Sequence, residues 1–214
     1  MDEIATLDER LQLADWRRRV AALYAEVRAM AVTDPAIAHA HWRAVREMLF
    51  RTHPQSPLSA ERRAAFRAAH FDHDPALRFA VAMEPAQQAD QDAPALALPN
   101  SGSDTLSFSR IGTVLIPFTD GQRPLSVFWM AGYAGGLFLP FRDATNGQAT
   151  YGAGRYLLDT AKSQDLGSDG AGRLILDFNF AIQPSCAFDA RWACPLAPPE
   201  NRLDRSVHAG ERLA

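Results

Sequence analysis

Three carboxylates and two guanidinium groups stand among strongly apolar runs in the second half of this 214-residue chain, and they frame the question of function. Asp177 follows Leu174-Ile175-Leu176 and precedes Phe178. Side chains alternate along a strand, so Asp177 shares a face with Ile175, opposite Leu176 and Phe178. A lone buried carboxylate is costly, so Asp177 needs a partner, and Arg155 or Arg142 is the expected one. Asp143, Asn146, Tyr151, Asn179, Glu200 and Asn201 add hydrogen-bonding groups to the same stretch. A carboxylate, Asp177 or Glu200, can act as a general acid or base. Arginine offers a planar, permanently charged fork for an anion.

Two readings stay open. In one, Arg142, Asp143, Asn146, Tyr151, Arg155, Asn179 and Asn201 line a pocket for a small polar or anionic ligand. A hydrolase or lyase using Asp177 or Glu200 is the catalytic alternative. In the other, the same groups form a buried network that only holds irregular C-terminal chain against a sheet. Gly147, Gly152 and Gly154 suit a backbone that approaches a ligand closely, and equally a tight bend.

Other chemistry has less to stand on. Tyr151-Gly152-Ala153-Gly154-Arg155 lacks the Lys-Ser/Thr ending of a phosphate loop. No Gly-x-Ser-x-Gly elbow, His-Glu-x-x-His pair or dinucleotide fingerprint is present, so no cofactor is expected. Cys186 and Cys194 lie farther apart than the usual zinc-binding pair, and no metal site is expected. They read as free thiols or as a disulfide across a short loop. His39 and His41, two apart on a helix, face different directions. His70-Phe71-Asp72-His73-Asp74 reads as a solvated turn after a helix end.

From about residue 106 to 211 the chain resembles the bacterial family called domain of unknown function 1684. Pro140-Phe141-Arg142-Asp143, Thr145-Asn146-Gly147 and Thr150-Tyr151-Gly152-Ala153-Gly154-Arg155-Tyr156-Leu157 carry the likeness first. Leu176-Asp177-Phe178-Asn179, Cys186-Ala187-Phe188, Cys194-Pro195-Leu196, Pro199-Glu200-Asn201-Arg202-Leu203 and Ala209-Gly210-Glu211 follow in order. The family pattern more often has Asn-Pro before the first cysteine and Pro-Pro after Cys-Pro-Leu. This chain has Gln183-Pro184 and Ala197-Pro198 there. The resemblance implies extent and kinship, and its name implies no activity.

These residues need elements to position them. Leu7, Leu11, Leu13, Trp16, Val20, Leu23, Tyr24 and Val27 recur at helical spacing and predict a helix over residues 7–31. Asp34 and Pro35 start a second helix to about residue 51, and Ser59 caps a third over residues 60–69. A strand is expected over residues 78–82, then an exposed loop or weak hairpin over 84–103. Short runs at 105–111, 113–118, 125–131, 137–141, 155–158 and 174–178 follow. Gly112, Asp120-Gly121, Gly135-Gly136 and Asn146-Gly147 separate the first five of them. This predicts an α+β protein, with N-terminal helices packed on a mainly antiparallel β-barrel or β-sandwich. The division expected is a helical extension, 1–70, and a mainly β domain, 71–214.

Composition bounds the rest. Hydrophobic residues make up 47% and charged residues 22%, which excludes a wholly disordered chain. The net charge of −3 gives no footprint for nucleic acid. No apolar run is long enough to cross a membrane as a helix. The acidic start Met1-Asp2-Glu3 is unlike a secretory signal, so the cytoplasm is expected. A small molecule is the expected partner. The oligomeric state is not legible.

Overall fold

Thr6 opens the first helix. Its hydroxyl accepts from the Glu9 backbone N–H while the Glu9 carboxylate accepts from the Thr6 N–H, a reciprocal cap that satisfies two orphan donors. The computed structural model describes residues 6–87, 96–97, 107–132 and 135–214. Helix α1 runs Leu7–Ala31 and α2 runs Pro35–Thr52, where Asp34 caps the N–H groups of Ala36 and Ile37. The two pack together through Leu23, Tyr24, Val27, Ala38 and Trp42. Leu7 and Leu11, 74% and 59% exposed, lie outside that contact, so only the later part of the apolar stripe is buried.

Helix α3 is shorter than its periodicity predicts, Ala60–Arg63, and Ser59 makes no side-chain cap. The chain leaves the helix because α2 claims its backbone. The Ala68 N–H donates to the Glu47 carboxylate at 3.0 Å, and Phe66 packs on Phe50.

The strands are β1 Arg78–Val81, β2 Met83–Pro85, β3 Leu96–Ala97, β4 Ser107–Phe118, β5 Gly121–Met130, β6 Leu137–Phe141, β7 Arg155–Asp159 and β8 Leu174–Asp177. All strand pairs are antiparallel, in the orders β1-β8 and β2-β4-β5-β6-β7, with β3 also on β4. Helices plus antiparallel sheets make this an α+β protein. Neither sheet closes on itself among the described residues. The expected loop over 84–103 contains β2 and β3; residues 88–95 and 98–103 of it, and 105–106 of the next expected strand, lie outside the described residues.

The runs expected at 105–111 and 113–118 form one strand, β4, interrupted by a bulge between Arg110 and Gly112. An extra residue reverses the faces of a strand. Val114 and Ile116 therefore join Leu125 and Val127 in the core shared with β1 and β8, while Phe108 joins Phe128, Phe138 and Tyr156. Ile182 packs against both this aromatic group and the helix core, and so connects sheet to helices.

Candidate functional site

Arg155 begins β7, opposite Phe141 of β6, and its side chain is fully buried. It meets the equally buried Asp143 at 3.4 Å and donates to three carbonyls of the C-terminal segment: Val207 at 2.9 Å, Glu211 at 3.3 Å, and Ala209. Asp143 in turn accepts from the Val207 N–H at 2.7 Å and the Thr145 hydroxyl at 2.9 Å. Burial pulls the Arg155 guanidinium below the ordinary arginine value, with Asp143 opposing. Asn146 closes the turn, its Oδ1 accepting from the Asp143 N–H and its Nδ2 donating to the Thr150 hydroxyl and the Tyr151 carbonyl. Tyr151 donates its N–H to Gln183. Asp143, Asn146, Tyr151 and Arg155 are thus brought together.

The same knot explains two glycines. Gly154 has φ +104°, and a Cβ there would lie 2.5 Å from the Phe141 carbonyl oxygen. Gly210 has φ +77°, and a Cβ there would lie 2.6 and 2.7 Å from the carbonyls of Ala181 and Phe178. Both contacts are with backbone of this chain. We expect Gly210→Ala to lose at least about 2 kcal/mol, from the left-handed backbone and the collision together. Gly147→Ala, where φ is +79° but nothing lies within 4 Å, should lose only about 1 kcal/mol. Paired urea melts check the ordering, and equal losses would count against it.

The remaining expected residues lie elsewhere. The partner of Asp177 is neither Arg155 nor Arg142 but Arg78, at 3.1 Å. Strand register decides this, because Arg78 of β1 stands opposite Asp177 of β8. Asp177 also accepts from the N–H and Nδ2 of Asn179, and Asn179 exchanges bonds with the backbone of Asp74. Burial raises the Asp177 carboxyl above its ordinary value, and the bonds from Asn179 and Arg78 oppose the rise. Asn201 forms a third station: it accepts from the Ser126 N–H and donates to the Ser126 and Pro140 carbonyls, joining β5 to β6. Arg142 is half-buried, with its Nε 3.4 Å from the Ala153 carbonyl. Glu200 is exposed.

The turn expected at residues 70–74 is not freely solvated. His70 and His73 are half-buried, with ring centroids 6.3 and 5.3 Å from that of the buried His39. Burial holds His39 down to about 3 and His70 down to about 4, neighbouring Arg43 adding to both. Among the described residues no group of three or more His, Cys, Asp or Glu is arranged to hold a metal ion.

Sequence reading missed an open cavity. A groove of about 370 Å³ lies between α1 and α2 on one side and residues 182–194 on the other. Trp16, Val20, Tyr24, Phe50, Tyr156 and Phe188 supply much of its apolar wall, and Arg17, Arg46 and Lys162 are its cations. Among the described residues no carboxylate lines it. Gln164 lines it too: its Nε2 donates to the Tyr156 and Phe180 carbonyls, while its sealed Oε1 has no donor among the described residues. The Tyr24 hydroxyl accepts from Trp42 Nε1 at 3.2 Å, and burial drives its pKa far up, which leaves it a neutral O–H. Arg46 is anchored by Glu211, Nε to Oε1 at 2.5 Å and Nη2 to Oε2 at 3.1 Å. Spacing along α1 had marked Trp16, Val20 and Tyr24 as an inward stripe, but no local pattern marks Gln164.

A larger hollow, about 680 Å³, lies along α2 beside Arg43, Glu47, Arg51 and His70. Its Glu47 is already engaged by the Ala68 N–H and lies 3.9 Å from Arg51.

No curated protein matches the chain. Among solved structures it is similar to the uncharacterised protein from gene locus rrnAC0354 of Haloarcula marismortui, determined by solution NMR. The two are 32% identical, over 80% of this chain and 90% of that one, with a TM-score of 0.57. That source is archaeal, so the likeness is not confined to bacteria. The family model described as "Protein of unknown function (DUF1684)" matches residues 65–212, which contain the Arg155 knot, the Asp177 pair and the Asn201 clip. The chain therefore belongs to the DUF1684 family of proteins of unknown function.

Proposed function

We propose that this protein binds a small molecule with an apolar body and an anionic end in the groove between its first two helices and residues 182–194. One observation carries the reading. The groove is open, about 370 Å³, and its wall is built of Trp16, Val20, Tyr24, Phe50, Tyr156 and Phe188. The volume is in the range of small-ligand sites, and the lining combines aromatic surface with few polar groups. Arg46 is matched by Glu211 and Lys162 lies 3.6 Å from Asp159, so Arg17, with no carboxylate in the described lining, is what favours an anion. In this reading the helical residues before 70 form one wall and the mainly β part, 71–214, the other, as an open two-sheet sandwich. The sealed residues Asp143, Arg155, Asn179 and Asn201 hold the C-terminal segment and the sheets outside this lining. The ligand is a small molecule and not a nucleic acid.

The probe is 8-anilinonaphthalene-1-sulfonate, an aromatic anion, competed by decanoate and by the neutral decanol. Saturable binding is expected, displaced more strongly by decanoate, and lost in Val20→Trp, which fills the groove. Binding that is absent, or unchanged in that folded variant, would overturn the proposal.

A catalytic reading, a hydrolase or lyase using Asp177 or Glu200, draws support from one observation: burial raises the Asp177 carboxyl. That carboxylate is enclosed by Arg78 and Asn179, whereas Glu200 is exposed. The carboxyl that burial raises is therefore the enclosed one, and ligand binding is the better supported.

A further inference from the structure

Cys186 and Cys194 belong to none of the bonds described so far, and they lie against each other. The Cys186 N–H donates to the Cys194 sulfur at 3.3 Å, and the neighbouring Cys186 thiol, together with burial, pushes the Cys194 thiol up. Such an approach across a turn of chain is what a disulfide between near neighbours in sequence requires. A phenol neighbours each sulfur: Tyr151 beside Cys186, and Tyr156, whose hydroxyl donates to the Pro195 carbonyl at 2.6 Å, beside Cys194. Access is unequal. Cys186 is half-buried, whereas Cys194 is 1% exposed and belongs to the groove wall.

We propose that Cys186 and Cys194 are a peroxide-sensitive pair that closes to a reversible disulfide. Cys186, the more accessible, is attacked first. Its sulfur takes one oxygen from hydrogen peroxide, becoming a sulfenic acid, and one water leaves. The Cys194 sulfur then attacks the Cys186 sulfur. The S–S bond forms, the S–O bond breaks, and the hydroxyl departs with the Cys194 proton as a second water. A dithiol reductant reverses the step by thiol–disulfide exchange, itself becoming a disulfide.

The bond would tie the two ends of the loop that carries Phe188 and Trp192. Phe188 packs on Phe50 and Phe66, and Trp192 Nε1 donates to the Pro57 carbonyl at 2.9 Å. Oxidation therefore staples the same segment that lines the proposed groove, although the chemistry stands whether or not a ligand binds there.

The test is intact-mass analysis and thiol alkylation of the folded chain before and after hydrogen peroxide, then after dithiothreitol. Expected is a monomer that loses the mass of two hydrogens and both alkylatable thiols, and regains both on reduction. In Cys194→Ser, Cys186 should be trapped as a sulfenic acid by dimedone. Two thiols still alkylated after peroxide, or Cys186 gaining two or three oxygens while Cys194 still alkylates, would overturn the proposal. So would a Cys194→Ser protein that dimedone leaves unlabelled.

Discussion

Arg155→Met is expected to destabilise the protein by about 3–5 kcal/mol, the usual loss when one partner of a buried ion pair is removed. The variant leaves Asp143 charged and enclosed, with both side chains inaccessible in the native fold. It also strips donors from the Val207, Ala209 and Glu211 carbonyls, and so frees the segment that returns Glu211 to Arg46. For a chain of this size such a loss lowers the melting temperature by roughly 6–20 °C. Urea and thermal unfolding measure it. The Asp143→Asn and Arg155→Met double variant should lose less than the sum of the singles, because the two losses share one pair. A fully stable Arg155→Met protein would remove the knot's structural role and return Arg155 to consideration as a ligand-binding group.

Acidification from about pH 7.5 to about pH 5 should weaken the fold markedly, with His39 and His70 as the main source. An exposed histidine binds its proton near 6.5. In the folded chain burial, first of all, pushes His39 down to about 3, and His73, His70 and Arg43 add to the shift. Burial likewise pushes His70 down to about 4, with Arg43 and Arg46 adding and Glu211 opposing. Between those values and 6.5 the unfolded chain holds more protons. Stability therefore rises with pH across that window and is lost as pH falls through 6.5 toward 4 and 3. The two histidines together are worth on the order of several kcal/mol. Asp159 and Asp177 act in the opposite sense. Burial raises both carboxyls, so the folded state holds more protons just above 3.8, which offsets part of the loss at the acid end. Urea midpoints at several pH values give the slope. His39→Leu, which keeps an apolar side chain beside Trp42 and Phe180, should flatten it, and an unchanged slope would show that the loss arises elsewhere.

Much of the secondary structure was legible because its causes are local. The stripe from Leu7 to Val27, the Asp34-Pro35 start and the Asp120-Gly121 turn each act within a few residues, and α1, α2 and the β4–β5 hairpin follow. Where a distant group intervened, local reading failed. Glu47 took the Ala68 N–H and cut α3 short, and a bulge at Arg110–Gly112 merged two expected strands. The groove was hidden for the same reason: its walls come from residues 13–57 and 156–194, which meet only after the helices dock on the sheet.

From its sequence alone this protein was determined to be α+β and a relative of the DUF1684 family, since periodicity, turn chemistry and ordered motifs are properties of short stretches. Only the tertiary structure decided which charge meets which. Arg78 faces Asp177 because two strands nearly a hundred residues apart pair in that register, and Arg155 reaches Asp143 because β7 pairs with β6 at Phe141, two residues before Asp143, with the C-terminal segment closing over both. Pairing of buried charges is settled by strand register and chain return, and neither is written in the residues beside the charge.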